Sequence, residues 1–294
     1  MNLIITGATG YVGRNLISLF LKSTNHKLFA IVRGNAKLPK EVEVINDDAD
    51  LEVNLISANP DIVIHLASYV TSKAELEEFD KLVDANIIFG NRLLYALKNT
   101  SIKHFINVGT FAEYHFNDGD LNPTYLYAAT KTAFKSVLKY YSELKGFKYV
   151  HVVPYSIYGG VDRQKKIMDI LFESLDAEKP TDTSQGIQNL DFIHINDVVE
   201  FFLRLVDKIS DVKNNDVLYL GTGKTYTLRE VSTLIEKLTN KKMNINWGAH
   251  PPRERDTFYA CAPIGKIQNV LGWKPNISLL EGLKLKFAEY KDIS

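Results

Sequence analysis

The sequence predicts an α/β protein built on a doubly wound parallel sheet, and three observations carry that prediction. Short apolar, β-forming runs alternate with helical patterns from residue 2 to about residue 160. The first run, residues 2–6, is apolar on both faces, as strands covered on both sides are. That run passes directly into a glycine-rich turn and then a helix, the order in which a nucleotide-binding unit is built. Past residue 160 the alternation loosens. The expectation is a first domain over 1–160 and a smaller C-terminal α/β lobe over 161–294, interleaved so that 186–215 returns to the first domain.

The turn after the first strand reads Gly7-Ala8-Thr9-Gly10-Tyr11-Val12-Gly13, followed by a helical pattern over 14–21. Gly7 permits a tight turn, Gly10 lets the backbone approach a pyrophosphate, and Gly13 allows close helix–strand packing. Amides at the helix start supply partial positive charge for phosphates, so Thr9, Tyr11 and Val12 fall within the expected contact. The spacing is G-x-x-G-x-x-G, not the common G-x-G-x-x-G. A second strand over 27–34 carries Arg33 near its end. An acidic residue there would serve the adenosine ribose of NAD, whereas an arginine accommodates the 2′-phosphate of NADP. NADP is therefore expected and NAD is the alternative; a solvated strand-end charge is the other reading of Arg33.

A third strand over 42–45 leads to Asp47 and Asp48, placed beneath the adenine. The fourth, 61–68, ends in Leu66, Ala67 and Ser68, at the carboxyl edge where open α/β sheets bind ligands. His65 within it reads as a packed strand residue. Residues 75–97 are helical in pattern and include Asn86, and 104–110 form a fifth strand tipped by Thr110. After a polar loop at 117–123, a helix carries Tyr127-Ala128-Ala129-Thr130-Lys131. Positions four apart share a helix face, so phenol and ammonium project into one space. A free tyrosine titrates near ~10, and a neighbouring cation favours its phenolate, bringing it towards working pH as a proton donor or acceptor. Many surface helices have that spacing, so the pair gains meaning only from the other stretches. Residues 149–154 form a sixth strand ending at Pro154, followed by Tyr155 and Ser156.

In the second half a helix is expected over 165–175, and a strand over 186–197 with Asn196 or Asp197 capping a helix through Val206. Another strand follows over 216–221, and Thr227 with Glu230 forms a capping box for a helix over 228–239. No repeat, low-complexity tract or flexible linker is visible.

Composition narrows the function classes. Hydrophobic residues at 45% and charged residues at 24% are ordinary for a globular chain of 294 residues. Lys+Arg and Asp+Glu both total 35, which argues against a nucleic-acid binder. The single cysteine, Cys261, excludes an internal disulfide and a cysteine-based zinc site, and reads as a packed or idle thiol. No apolar run approaches the ~18 residues of a membrane span. With no leader pattern at the start, a soluble cytoplasmic protein is expected.

Taken together, Gly7 to Gly13, Thr110, Tyr127 with Lys131, the Asp191-Phe192-Ile193-His194 run and Leu271-Gly272-Trp273-Lys274-Pro275 resemble the extended short-chain dehydrogenase/reductase family, in its nucleotide-sugar epimerase, dehydratase and reductase branch. The resemblance runs to about Pro275. It implies a Rossmann-type domain holding NAD(P) and a C-terminal lobe holding a nucleoside-diphosphate sugar. By position, Thr110 would hydrogen-bond the sugar oxygen at the reacting carbon. Tyr127 would be the acid/base, and Lys131 would bind the nicotinamide ribose and lower the tyrosine pKa. Pro154 and Tyr155 would lie near the nicotinamide. Ser68, Phe111 and Ser156 would face the sugar, and Arg253 the diphosphate, unless Arg253 is a solvated loop charge. Hydride transfer at a carbinol carbon needs a partner that moves the hydroxyl proton, and no metal.

The departures from that pattern are informative. The 4,6-dehydratases carry Asp-Glu after the threonine, whereas Phe111 and Ala112 stand here and Glu113 is displaced by one residue. Ser156 replaces the usual asparagine and Leu190 a common arginine, and no cysteine lies near Thr110 for ring epimerisation beside a ketone. The expectation is NADPH-dependent reduction of the 4-keto group of a nucleoside-diphosphate 4-keto-6-deoxy sugar. An NAD-retaining 4-epimerase is the alternative, and a non-catalytic NADP-binding sensor or scaffold the reading of another class. The branch also implies a homodimer through helices at 75–97 and 125–145, with Phe134, Val137, Leu138 and Tyr141 spaced either to line that seam or to join the core.

Overall fold

The alternation of apolar strands and helices resolves into one seven-stranded parallel sheet with helices on both faces. A computed structural model describes residues 1–73, 75–117 and 119–293, so Asp118 of the polar 117–123 loop lies outside the described residues. The first half supplies β1 (Asn2–Thr6), α1 (Tyr11–Ser23), β2 (Lys27–Val32), β3 (Val42–Asn46), α2 (Leu51–Ala58) and β4 (Ile62–His65). It continues through α3 (Leu76–Val83), a π-helical turn (Asp84–Ile88), α4 (Phe89–Ala96), β5 (His104–Val108), α5 (Leu126–Lys145) and β6 (Lys148–Pro154). The second half contains β7 (Ser156–Tyr158), α6 (Ile167–Glu173), β8 (Thr181–Thr183), β9 (Asn189–His194), α7 (Ile195–Asp207) and β10 (Asp216–Leu220). The chain ends with β11 (Thr225–Thr227), α8 (Leu228–Thr239), β12 (Ile245–Trp247), β13 (Tyr259–Ala260), α9 (Gly265–Leu271) and α10 (Leu279–Ile293).

The sheet order is β3-β2-β1-β4-β5-β6-β10, with every neighbouring pair parallel. The order reverses between β1 and β4, the switch point above which open α/β sheets take their ligands. One face of the sheet packs Leu16, Ile17 and Phe20 of α1 and Phe201, Phe202 and Leu205 of α7. The other packs Leu55 of α2, Leu93 of α4, and Phe134 and Leu138 of α5. Phe134 and Leu138 are thus core residues, while Val137 and Tyr141 pack half-buried against them. Burial of these side chains, worth about 1.5–3 kcal/mol each, turns the apolar runs into a sheet covered on both sides.

Beyond β6 the chain builds a smaller lobe around a four-stranded sheet in which β9 pairs with β7, β11 and β13. It then returns: α7 packs on α1 and β10 pairs with β6 at the sheet edge. One expectation changes here. The cap of α7 is His194, whose Nδ1 accepts the Asn196 amide at 3.2 Å, because the strand runs straight into the helix. Asp197 instead accepts the Asn276 and Ile277 amides at 3.0 Å each and fixes the backbone just after Pro275 to α7. Thr227 and Glu230 do form a capping box. Among the described residues, no helix is long and apolar enough to cross a membrane.

Candidate active site

Two hollows open above the carboxyl ends of the strands and a third runs along α1, and Thr9 lines all three. The largest, about 710 Å³, takes in Gly7, Gly10, Tyr11, Val12, Gly13, Leu66, Ser68, Thr110, Phe111, Tyr127, Lys131, Pro154, Tyr155 and Ser156. A second, about 200 Å³, adds Arg33, Asp47 and Ala67 around the ends of β1, β2 and β4. The third, about 400 Å³, is cationic: Arg14, Lys22, Lys37 and Arg163 line it with one carboxylate, Glu41.

The glycine turn fits a dinucleotide phosphate. Gly7 takes φ +66°, and a Cβ there would stand 2.7 Å from the Ala67 nitrogen. A Cβ on Gly13 would stand 2.2 Å from the Gly7 carbonyl oxygen, so α1 meets the β1 turn at a distance only glycine permits. Gly10 caps α1 without a side chain, and no acidic residue stands in the first turn. The positive end of the helix is left to an anion.

The Ser68 and Thr110 hydroxyls both face the Tyr127 oxygen closely enough to stabilise its phenolate, although the three residues come from the end of β4, the end of β5 and the first turn of α5. Burial nevertheless pushes Tyr127 up to about 12, with Glu113 adding to the rise. Lys131, one turn on and 3% exposed, is brought down to about 8 by burial. Lowering of the phenol by Lys131 is therefore not what the protein alone shows: desolvation dominates both groups. Ser68 is held in turn, its Oγ donating to Asn86 Oδ1 at 3.0 Å, and the same oxygen accepts the Tyr69 amide at 2.9 Å. Phe111 and Tyr155 stack with ring centroids 5.5 Å apart and give the cavity an apolar wall beside Thr110.

Several expected residues lie elsewhere. Asn86 is buried beneath the site and lines none of these three hollows, because its side chain is spent on the 68–69 turn and on Thr130. Asp48 accepts the Asp50 amide at 3.0 Å and shapes the turn into α2, whereas Asp47 lines the small hollow with Arg92 at 2.7 Å. Arg253 lies outside all three hollows, its guanidinium 5.6 Å from the Tyr125 ring centroid. Glu113 is fully buried and does not line the cavity. His65 is packed against the Phe89, Phe105 and Phe134 rings, as its strand position suggests.

Beyond Tyr155 and Ser156, the residues that follow β6 were not expected in the site. Ile157, Tyr158, Arg163, Lys166 and Met168 line the main cavity, with Phe192 from β9. Lys166 lies 3.6 Å from the centroid of the Tyr11 ring and 3.2 Å from Asp162. The signal was the Tyr158-Gly159-Gly160 turn, which sends this segment back over the glycine loop, where Tyr11 donates to the Gly159 carbonyl and Arg14 to that of Val161. Among the described residues, no group of His, Cys, Asp or Glu side chains is arranged to hold a metal ion.

Comparison with known proteins agrees with this architecture. CDP-abequose synthase of Yersinia pseudotuberculosis is 23% identical over 293 residues, covering 97% of this chain and all of the relative. UDP-glucose 4-epimerase of Mycolicibacterium smegmatis is 26% identical over 309 residues, covering 96% of each. Among solved structures, UDP-glucuronic acid 4-epimerase of Bacillus cereus, in complex with UDP-glucuronic acid and NAD, superposes with a TM-score of 0.88 over the full length of both chains at 22% identity. Residues 3–221 match the NAD dependent epimerase/dehydratase family, and the chain belongs to that family.

Proposed function

We propose that this protein reduces the 4-keto group of a nucleoside-diphosphate 4-keto-6-deoxy sugar, using NADPH. The observation that carries the reading is the convergence of Ser68, Thr110 and Tyr127 hydroxyls, with Lys131 one turn away, on one cavity beside the glycine turn. When bound, the reduced nicotinamide supplies the hydride. Thr110, whose hydroxyl oxygen accepts the Ala112 amide and keeps its proton to give, donates to the carbonyl oxygen as negative charge develops on it, with Ser68 held beside it by Asn86. Tyr127 gives that oxygen its proton, and the Lys131 ammonium favours the phenolate left behind.

Reduction rather than dehydration is supported by the three residues after Thr110. Phe111 faces the cavity with an aromatic ring, Ala112 is buried, and the Glu113 carboxylate points away from the cavity. The apolar wall of Phe111 and Tyr155 suits a substrate carbon that has lost its hydroxyl. NADP over NAD is supported by Arg33, which is 72% exposed beside the small hollow, and by the cationic hollow that adjoins it at Thr9. The relatives named for CDP- and UDP-linked sugars make those two nucleotides the first to try. This reading includes a cytoplasmic homodimer through α4 and α5, where Tyr95, Tyr140 and Leu144 are exposed.

The second reading, an NAD-retaining 4-epimerase, is favoured by the relatives and the solved structure that bear that name. Incubating purified protein with NADPH and CDP-, UDP-, dTDP- and GDP-linked 4-keto-6-deoxyhexoses, and in parallel with the corresponding 4-hydroxy hexoses such as UDP-glucose, separates the two. The reductase consumes one NADPH per sugar reduced. Turnover of a sugar nucleotide with no loss of NADPH absorbance would establish the epimerase instead.

A further inference from the structure

Behind the catalytic face lies a charged pair that the proposed chemistry does not use. Glu113 has no exposed surface. Its Oε1 accepts the Thr110 amide at 3.0 Å, while its Oε2 accepts the Thr132 hydroxyl at 3.0 Å and meets Lys135 Nζ at 2.7 Å. One carboxylate therefore grips the backbone of the Thr110 turn and the middle of α5, the helix that carries Tyr127 and Lys131. Lys135 stands one turn beyond Lys131 on the same face and also donates to the Tyr114 hydroxyl at 3.2 Å. Room for the carboxylate is built into the strand end: a Cβ on Gly109 would stand 2.3 Å from Glu113 Oε1. A buried carboxylate costs several kcal/mol of desolvation unless it is paired and hydrogen-bonded, and here it is both.

We propose that Glu113, neutralised by Lys135, is a positioning residue: it fixes the separation between the Thr110 hydroxyl and the Tyr127 phenol and balances charge beneath Lys131. The inference rests on the reading of Tyr127 and Lys131 as the reacting centre. The charged and titratable groups around them are Glu113 and Tyr114 from the Thr110 turn, Lys135 from α5, His151 from β6 and His65 from β4. Both histidines are held neutral by burial, so the charge balance is between Glu113 and the two lysines.

The test uses Glu113→Gln, Lys135→Met, the double variant and Glu113→Ala in the full-length protein. Lys131 is titrated by NMR of carbon-labelled lysine side chains and assigned with Lys131→Met. Glu113 raises the Lys131 pKa and Lys135 lowers it. The Lys131 midpoint should accordingly move down in Glu113→Gln, up in Lys135→Met, and back towards wild type in the double variant. A purely structural brace would not give shifts of opposite sign. With CDP-4-keto-6-deoxyglucose as substrate, kcat should fall on the order of a hundredfold in Glu113→Ala, the scale of an ångström-sized misplacement, and recover in the double variant relative to either single one. A Lys131 midpoint unmoved in both single variants would overturn the proposal. So would an unchanged kcat in a folded Glu113→Ala protein. If Glu113→Ala does not fold, the remaining three variants decide, since neutralising both partners of a buried pair is tolerated better than removing one. The titration needs no turnover, so failure of every keto sugar nucleotide as a substrate would sink the proposed function and leave this test intact.

Discussion

Asn86 Nδ2 donates to the Thr130 hydroxyl at 3.0 Å, joining the π-helical turn to α5 at the residue that precedes Lys131. The same nitrogen donates to the Tyr69 carbonyl, and Asn86 Oδ1 accepts from Ser68 and Tyr69. One side chain thereby orders two of the segments that meet at the phenol. Asn86→Ala leaves the Tyr69 N–H and C=O and the Thr130 hydroxyl short of partners. A loss of about 1–3 kcal/mol in stability is expected by urea unfolding, with kcat reduced because Ser68 loses its anchor.

Tyr127→Phe removes the proton donor and little else. A kcat drop of about 10²–10⁴-fold is expected with NADPH affinity nearly unchanged, read by fluorescence titration. Activity retained in this variant would remove Tyr127 from the mechanism.

Acid lability follows from two buried imidazoles. His151 Nδ1 accepts from Asn107 Nδ2 at 3.1 Å, and burial, with Lys135 and Lys131 nearby, holds its pKa down to about 3. His194 is held down to about 4, also chiefly by burial. In the unfolded chain both titrate near ~6.5. As pH falls from there towards 3 the unfolded state binds protons that the folded state refuses, so stability present above ~6.5 is lost progressively. Melting temperature should fall across that window, and His151→Asn, which keeps an acceptor for Asn107, should flatten the decline.

Arg33→Asp tests cofactor choice. The guanidinium has only a loose contact with Asp84, at 3.9 Å, and is available to a ribose phosphate. Losing a charge-assisted contact of about 1.5–3 kcal/mol should weaken NADP binding by roughly ten- to a hundredfold, while NAD binding is unchanged or improved. Calorimetric titration of the two cofactors reads this directly, and equal losses for both would remove Arg33 from 2′-phosphate recognition.

Gly13→Ala would set a methyl 2.2 Å from the Gly7 carbonyl oxygen, with backbone and not a yielding side chain in the way. A stability loss of about 1–3 kcal/mol is expected by thermal unfolding, together with weaker binding of both cofactors as α1 is pushed off the turn.

Features that depend on short-range pattern were legible in the chain. The apolar runs that became β1 to β6, the glycine turn, the Thr227 capping box and the Tyr127–Lys131 pair all follow from periodicity or local spacing. Features made by partners distant in sequence were not. The two- and three-residue strands β7, β8, β11, β12 and β13 exist because something pairs with them, so no local propensity announces them. Glu113 reads as a near miss of a dehydratase motif until Lys135 is seen opposite it. The same holds for Arg163 and Lys166, which reach the cavity only because the segment after β7 turns back over Tyr11. For Asn86 the surrounding helical pattern was plain, but its buried amide is explained only by the turn after β4 and by Thr130 of α5.

The edge position of β10 has a consequence for how this protein can be divided. The strand that completes the main sheet is made after the small lobe has begun, so neither unit can be severed from the other by one cut. A fragment stopping near residue 160 would keep the pairing of β6 with β5 but leave its other edge open, a ready template for a neighbouring chain. Such a fragment should precipitate or associate on expression, whereas co-expressing the remainder of the chain, with β10 to close the flank, should return it to solution.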